Sequence, residues 1–292
     1  MIEPFMNWAG LMLGMYRFDT RVVHFLCGAA RKTYSEDSSD YYNFVSTVEL
    51  PDLASPGEMR QNTPMLISVI MPALNEAESI GEVLAAIPSE DDLEVLVVDG
   101  GSSDNTVAVA EAAGARVVHE PRRGYGQACA TGLATVRNEI VVFMDADGAD
   151  DPRDICRLVA PILDHECELV LGSRLTGMLD AGAMPWHQHA GNWLSARLIR
   201  ALYGLPLTDL SPFRAALRDK LVALDLQEMT YGWPTEMIAK AARQNWRIQE
   251  IPVRYHCRLG GKSKISGTWK GSVLATYFIL RTIIRHRRAA RE

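Results

Sequence analysis

The sequence predicts an α/β fold: a mostly parallel sheet covered by helices on both faces. Three observations predict it. Continuous apolar runs recur along the chain (LISVIM, LEVLVVD, EIVVFMD and ELVLGS), and strands without alternation are those buried on both faces. Stretches of helical character separate them. Polar residues cluster just after the strands, where sheets of this kind bind ligands.

Each element follows in order. LISVIM is the first strand, and Glu78 to Ile87 is a helix. LEVLVVD is the second strand; Ser102, Ser103 and Asp104 then supply N-cap chemistry for a helix through Ala113. ARVVHE is a short strand, and a helix runs from Gly126 to Val136. EIVVFMD is a strand, Pro152 to Leu163 a helix and ELVLGS a strand. The second half is less regular, with helices over Asn192 to Tyr203 and Trp233 to Arg243 and an alternating strand in WRIQEIPVRYH. RLGGKSKISGT is a basic loop. SVLATYFILRTIIRHRR is a closing helix, apolar first and cationic last. Residues 1 to 64 stand apart. There MNWAGLMLGMYRFDTRVVHFLCGAARK fits one amphipathic helix, and an acidic, polar linker broken by Pro51, Pro56 and Pro64 follows.

Composition narrows the function classes. The chain has 292 residues, 48% of them hydrophobic, enough for a sizeable core. Its five cysteines (27, 129, 156, 167 and 257) show no regular spacing, which fits reduced thiols better than a disulfide framework or a zinc site. No run reaches the roughly 18 apolar residues of a membrane span. The N-terminus lacks a signal-peptide pattern, so the expected location is cytoplasmic. The net charge is -6, yet Val253 to Glu292 holds ten Lys or Arg against one acid. That basic end points to an anionic partner.

The chemistry concentrates in VVFMDADGADDP, where an apolar strand runs into Asp145, Asp147, Asp150 and Asp151. Asp150 or Asp151 fits a cap for the helix that Pro152 begins. The remaining D-x-D pair suits one hard divalent cation, Mg²⁺ or Mn²⁺, that also takes phosphate oxygens. Asp99, in VVDGGSSDNT, can accept hydrogen bonds from a base or ribose beside glycines that admit a ligand. PALNE places Pro72, Asn75 and Glu76 in a tight loop. RRGYGQA joins Arg122 and Arg123 to small residues suited to a diphosphate. Helix caps and solvated turns are the structural alternatives. His187 and His189 fit a polar loop better than a metal site, and Met178, Met184, Trp186 and Trp193 fit packing or an acceptor groove.

Together these stretches resemble the family 2 glycosyltransferases over roughly Met65 to Arg285, most of the chain. Five motifs in order carry the resemblance: ISVIMPALNEAESI, VLVVDGGSSDNT, RRGYGQACATG, VVFMDADG and LVLGSR. It implies the GT-A fold, a Rossmann-like mostly parallel sheet, with a nucleotide-sugar donor and a divalent Mg or Mn cofactor. It also implies that Glu76 and Asp99 hold the nucleotide and that Asp145 and Asp147 hold the metal on the donor diphosphate. Pro72, Asn75, Arg123, Gly124 and Arg174 fall in the same stretches and are placed with the nucleotide sugar. Within the family, RLGGKSKIS is most similar to the R-x-x-G-x-SK element of dolichol- and polyprenol-phosphate mannosyl- and glucosyltransferases. That maps Arg258, Ser263 and Lys264 to the donor and acceptor phosphates, with Arg258 and Lys264 as catalytic candidates. Two departures stand out. Those enzymes often carry a metal-binding Gln where this chain has Ala149, followed by Asp150. Either Asp150 or water replaces that ligand, or the metal is held more weakly. The transmembrane hairpins of some relatives are also absent. The expected organisation is an extension and linker over 1–64, a catalytic domain over 65–268 and an amphipathic basic helix over 269–292.

Two acceptors remain open. A polyprenyl or dolichyl phosphate is already an anion, so it needs cations and no base; the Arg and Lys of 254 to 270 suit it. A hydroxyl acceptor, on a saccharide or small molecule, needs a general base. The resemblance offers Glu236, in YGWPTEMIAKAARQ, for which an exposed helix acid is the plain alternative. UDP-glucose and GDP-mannose both fit as donors, with inversion at the sugar. The cationic closing helix implies peripheral contact at the inner face of an anionic membrane. A nicotinamide-dependent enzyme is disfavoured because the first strand leads into PALNE, not G-x-G-x-x-G. A nucleic-acid partner is disfavoured because no recognition motif accompanies the basic end.

Overall fold

The computed structural model describes residues 67–89, 93–261 and 269–288, with the backbone alone at 269, 270, 272 and 288. The expectations for residues 1–64, for Ser263 and Lys264 and for residues 289–292 lie outside the described residues.

Among the described residues seven strands form one sheet: β1 (Ile67–Ala73), β2 (Leu93–Asp99), β3 (Arg116–His119), β4 (Ile140–Phe143), β5 (Leu169–Leu179), β6 (Arg214–Leu217) and β7 (Ile248–Tyr255). Their order is β3-β2-β1-β4-β6-β5-β7. Only β6 runs against its neighbours, β4 and β5. From β1 the chain adds β2 and β3 on one side and β4 on the other, so the strand order reverses beside β1. The crevice at the carboxyl ends of β1, β2 and β4 is therefore where a sheet of this type takes a ligand.

The helices are α1 (Ile80–Ala86), α2 (Thr106–Ala112), α3 (Tyr125–Thr135), α4 (Ile155–Leu163), α5 (Trp186–Tyr203), α6 (Arg218–Ala223), α7 (Trp233–Arg243) and α8 (Trp269–Arg288). Successive strand residues point to opposite faces. Ile70, Val98, Phe143 and Leu171 enter a core with α3 and α7, where Trp233 meets Phe143 edge-on at 4.9 Å. Their strand neighbours Val69, Val97 and Val142 are equally buried. Burial on both faces is why these runs do not alternate, and each large side chain so buried contributes about 1.5–3 kcal/mol. On α1 and α4, Ile80, Leu158 and Ile162 are fully covered.

The structure departs from the sequence reading in five places. RAAL forms β6, an unforeseen strand of small residues beginning at the buried Arg214, which sits opposite Phe143 and donates to the carbonyls of Ser211, Pro212 and Pro234. Helix α6 is also unforeseen, and β5 runs on to Leu179 past an irregularity between Ser173 and Met178. Helix α5 begins at Trp186, so PWHQHAGNW is the start of a helix and not an irregular loop. Pro152 begins a single 3-10 turn ahead of α4; Asp151 caps it by accepting from the Arg153 N–H at 3.0 Å. Helix α8 is divided: Ala275, Thr282 and Ile283 are buried, whereas Val273, Leu274, Tyr277 and Ile284 are exposed. No described helix is long and apolar enough to cross a membrane.

Candidate active site

The turn after β4 brings Asp145, Asp147 and Asp150 together, with Asp147 and Asp150 buried. Gly148, at φ 77°, makes the turn possible. Asp147 Oδ1 accepts from the Ala149 N–H at 2.9 Å, and the Asp150 carboxylate lies behind the Asp145 N–H at 3.5 Å. Asp150 Oδ1 is buried without a hydrogen-bond partner. Burial, reinforced by the charge of Asp147, pushes Asp145 up to about 7. Burial and the charges of Asp145 and Asp147 push Asp150 well up too. These are carboxylates short of positive charge.

One cation is supplied by the chain itself. Arg258 Nη2 donates to Glu76 Oε2 at 2.8 Å and Oε1 at 2.9 Å, while its Nη1 pairs with Asp147. The segment after β7 is zipped onto the acid turn by its backbone. The His256 N–H donates to the Ala149 carbonyl at 2.8 Å and the Leu259 N–H to the Asp147 carbonyl at 3.1 Å. A side chain on Gly148 would strike Leu259 at 2.6 Å, so glycine also permits this closeness. Arg258 thus reaches acids 182 and 111 residues away in sequence.

The neighbouring loops are tied to one another. Asn75, at φ 51°, accepts from the Ser103 N–H at 2.8 Å and donates its own N–H to Ser102 Oγ at 2.9 Å. The Glu76 N–H donates to Thr106 at 2.8 Å. Pro72 lies within β1, opposite Val98. Asp99, at the end of β2, accepts from the N–H groups of Gly101 and Ser102 and contacts His119. Burial opposes its ionisation, but these bonds hold its carboxyl below the ordinary value. Pro72, Asn75, Glu76, Asp99, Asp145 and Asp147 therefore share one edge of the sheet.

The other expected residues have the following surroundings. Arg122 is bound to the buried Glu120 at 2.8 Å, and Arg123 beside it is exposed as well. Gly124 and Gly126 serve packing: a side chain at either would meet the Met229 carbonyl at 2.2 Å or the Glu228 carbonyl at 2.4 Å. Arg174 is buried and grips Asp209 with Nε and Nη2 at 2.8 and 2.7 Å, stacked on Tyr255 at 5.0 Å, so its guanidinium is already engaged. Glu236 is not an exposed acid. It is 1% exposed and accepts from the Gln227 and Glu228 N–H groups at 2.9 and 2.6 Å, from Lys240 at 2.9 Å and from His286 at 3.3 Å. Burial opposes its charge, yet bonds from His286, Lys240 and Glu228 bring it down to about 2. A base poised for neutral pH lies near 7. Glu236 is an anchor joining the 227–228 loop, α7 and α8.

That role gives a prediction. The stability this carboxylate contributes is present above its ordinary 4.5 and is lost as pH falls toward about 2. Glu236→Gln should cost about 3 kcal/mol at pH 7, seen as a lower denaturation midpoint. It should leave the pH profile of turnover unmoved; a lost acidic limb in that profile would mark Glu236 as a base.

Two contributors escaped the sequence reading. Tyr125, the aromatic residue in RRGYGQA, lies near enough to the Asp145 side chain to favour its charged form. Asp209 fixes Arg174 and is invisible as a partner because it lies 35 residues on.

Among the described residues no three His, Cys, Asp or Glu side chains form a ready-made cation cage. Asp145 and Asp147 supply hard carboxylate oxygens, with Arg258 paired to Asp147. They fit a Mg²⁺ or Mn²⁺ ion whose other ligands come from substrate and water.

The profile of glycosyl transferase family 2 matches residues 68–224. The chain belongs to that family. An uncharacterized glycosyltransferase of Mycobacterium tuberculosis is 41% identical over 211 residues, covering 72% of this chain and 94% of that one. The undecaprenyl-phosphate mannosyltransferase of Micrococcus luteus is 33% identical, covering 70% and 88%. Among solved structures, glucosyl-3-phosphoglycerate synthase from Mycobacterium tuberculosis, in complex with Mn²⁺, UDP and glucosyl-3-phosphoglycerate, superposes with TM-score 0.62. It is 27% identical, covering 76% of this chain and 80% of that one. The fold is GT-A, and this family 2 member is a hexosyltransferase.

Proposed function

We propose that the enzyme moves a hexose from a nucleotide sugar to a polyprenyl phosphate, with inversion, using a divalent cation. The observation that carries the choice of acceptor is the state of Glu236. The acid that a hydroxyl acceptor would need is held in four contacts at about 2, and a phosphate acceptor needs no base. The mannosyltransferase likeness supports the same acceptor class.

In this reading Asp145 and Asp147 hold the ion on the donor diphosphate. Once bound, that ion neutralises charge developing on the departing nucleoside diphosphate. Glu76, Asp99 and the loops they brace hold the nucleotide. Arg258 gives up its carboxylates to the incoming cation and pairs with phosphate oxygens, a role that Ser263 and Lys264, close in sequence, would share. Arg123 faces the diphosphate from the β3–α3 turn. The acceptor phosphate oxygen attacks the anomeric carbon from the face opposite the leaving group. The bond from that carbon to the diphosphate breaks, and its electron pair leaves with the nucleotide.

A second reading rests on the solved neighbour, whose complex holds a phosphorylated hydroxy acid glucoside. Incubation with radiolabelled UDP-glucose or GDP-mannose, Mn²⁺ and either polyprenyl phosphate or phosphoglycerate separates the two. Label extracted into organic solvent is expected. Label that stays aqueous and depends on phosphoglycerate would overturn the lipid acceptor.

A further inference from the structure

We infer that α5 and α8 together form a docking surface for an anionic lipid bilayer. The inference goes beyond the choice of acceptor and stands on its own observations. The helices are 18 and 20 residues long. Helix α5 carries two Arg and α8 five Lys or Arg, and neither contains an Asp or Glu, in a chain of net charge -6. They touch: a side chain on Gly191 would sit 3.4 Å from Thr276, and the Tyr203 hydroxyl donates to the Ile283 carbonyl at 2.7 Å.

Beside that contact, large apolar side chains stand in water. Trp186 is 81% exposed, Trp193 53%, Val273 55% and Tyr277 57%. They lie at helical spacing, Trp186–Trp193–Arg197 on one helix and Val273–Tyr277–Arg281–Ile284 on the other, so each stripe mixes apolar groups with exposed Arg. Arg197 stacks over Trp193 at 4.9 Å. Monomer surfaces rarely leave such side chains in contiguous patches without a partner. Trp and Tyr rimmed by Arg are the groups that settle at the headgroup level of a membrane.

Charge decides which partner. A second copy docking through the same surface would set cation against cation across a two-fold interface. An anionic bilayer neutralises them. The surface is also joined to the active site. Asp180, on the way into α5, donates its N–H to the Tyr255 carbonyl at 3.0 Å and contacts His256 at 3.0 Å. Those two residues lead directly into the segment that carries Arg258.

The test is sedimentation of the full chain with phosphatidylcholine vesicles, plain or containing roughly a third phosphatidylglycerol. Binding is expected with the anionic vesicles alone and should fall at least about tenfold between low and high salt. The double variants Trp186→Ser/Trp193→Ser and Arg281→Glu/Arg285→Glu should each weaken binding about tenfold, without a lower melting temperature, since all four side chains are exposed. Equal binding to plain vesicles, no binding at low salt, or variants that bind like the parent would overturn the inference. So would a dimer in sedimentation equilibrium that the Trp variant dissociates, which would make the occupant a second copy. Vesicle binding with label transferred only to a soluble acceptor would sink the lipid acceptor and leave this surface standing.

Discussion

Asp147→Asn and Asp145→Asn should each reduce metal-dependent hexose transfer by on the order of 10³-fold, the scale of removing one electrostatic stabiliser of a departing group. The loss should come without loss of fold. Asp145 titrates at about 7 in the folded chain against its ordinary 3.8, so its charged form costs folding free energy. That cost sets in above pH 3.8 and is complete once pH passes about 7. Asp145→Asn does not carry it and should melt higher than the parent at pH 8. An inactive protein that is more stable marks a site where repulsion is kept for binding. Thermal melts and transfer assays on the same preparations check both halves. Full activity of both variants in excess chelator would remove the metal from the account.

Arg258→Gln should show the opposite pattern. In the free protein this guanidinium is the counter-ion of Glu76 and Asp147. Its removal leaves two largely buried carboxylates facing Asp145 and Asp150. Breaking a fully buried pair costs about 3–5 kcal/mol; Arg258 remains partly open to water, so about 2 kcal/mol is expected here. Added Mn²⁺ alone should restore more of the melting temperature in the variant than it adds to the parent, since the ion no longer competes with Arg258. Its affinity should rise on the order of tenfold. Transfer should nonetheless fall about 10²-fold, because the same side chain is needed at the phosphates. A variant with parental stability and parental Mn²⁺ affinity would mean that Arg258 does not hold the cation's place.

The contrast between Asp145 and Glu236 shows what the sequence makes legible. Asp145 and Asp147 announce themselves because an apolar strand ends in them, and the strand's position in the sheet then fixes where they point. Asn75, Glu76 and Asp99 are legible for the same reason. Glu236 has only Lys240 near in sequence; the bonds that make it an anchor come from Gln227, Glu228 and His286, up to 50 residues away. Strand β6 hides because Arg-Ala-Ala-Leu carries no β-branched or aromatic residue, and its Arg is buried among carbonyls instead of solvated. The glycines of RRGYGQA looked suited to a diphosphate; their closeness is to the 228–229 backbone.

The central claim is that the turn after β4 binds a nucleoside diphosphate through a divalent ion. Calorimetric titration of UDP, and separately of GDP, into the full-length protein with and without Mn²⁺ tests it most directly. One of the two should bind at least about tenfold more tightly with Mn²⁺, a gain of about 1.4 kcal/mol or more, and Asp147→Asn should erase that gain. Nucleotide affinity that ignores Mn²⁺, or a gain that survives in Asp147→Asn, would contradict it.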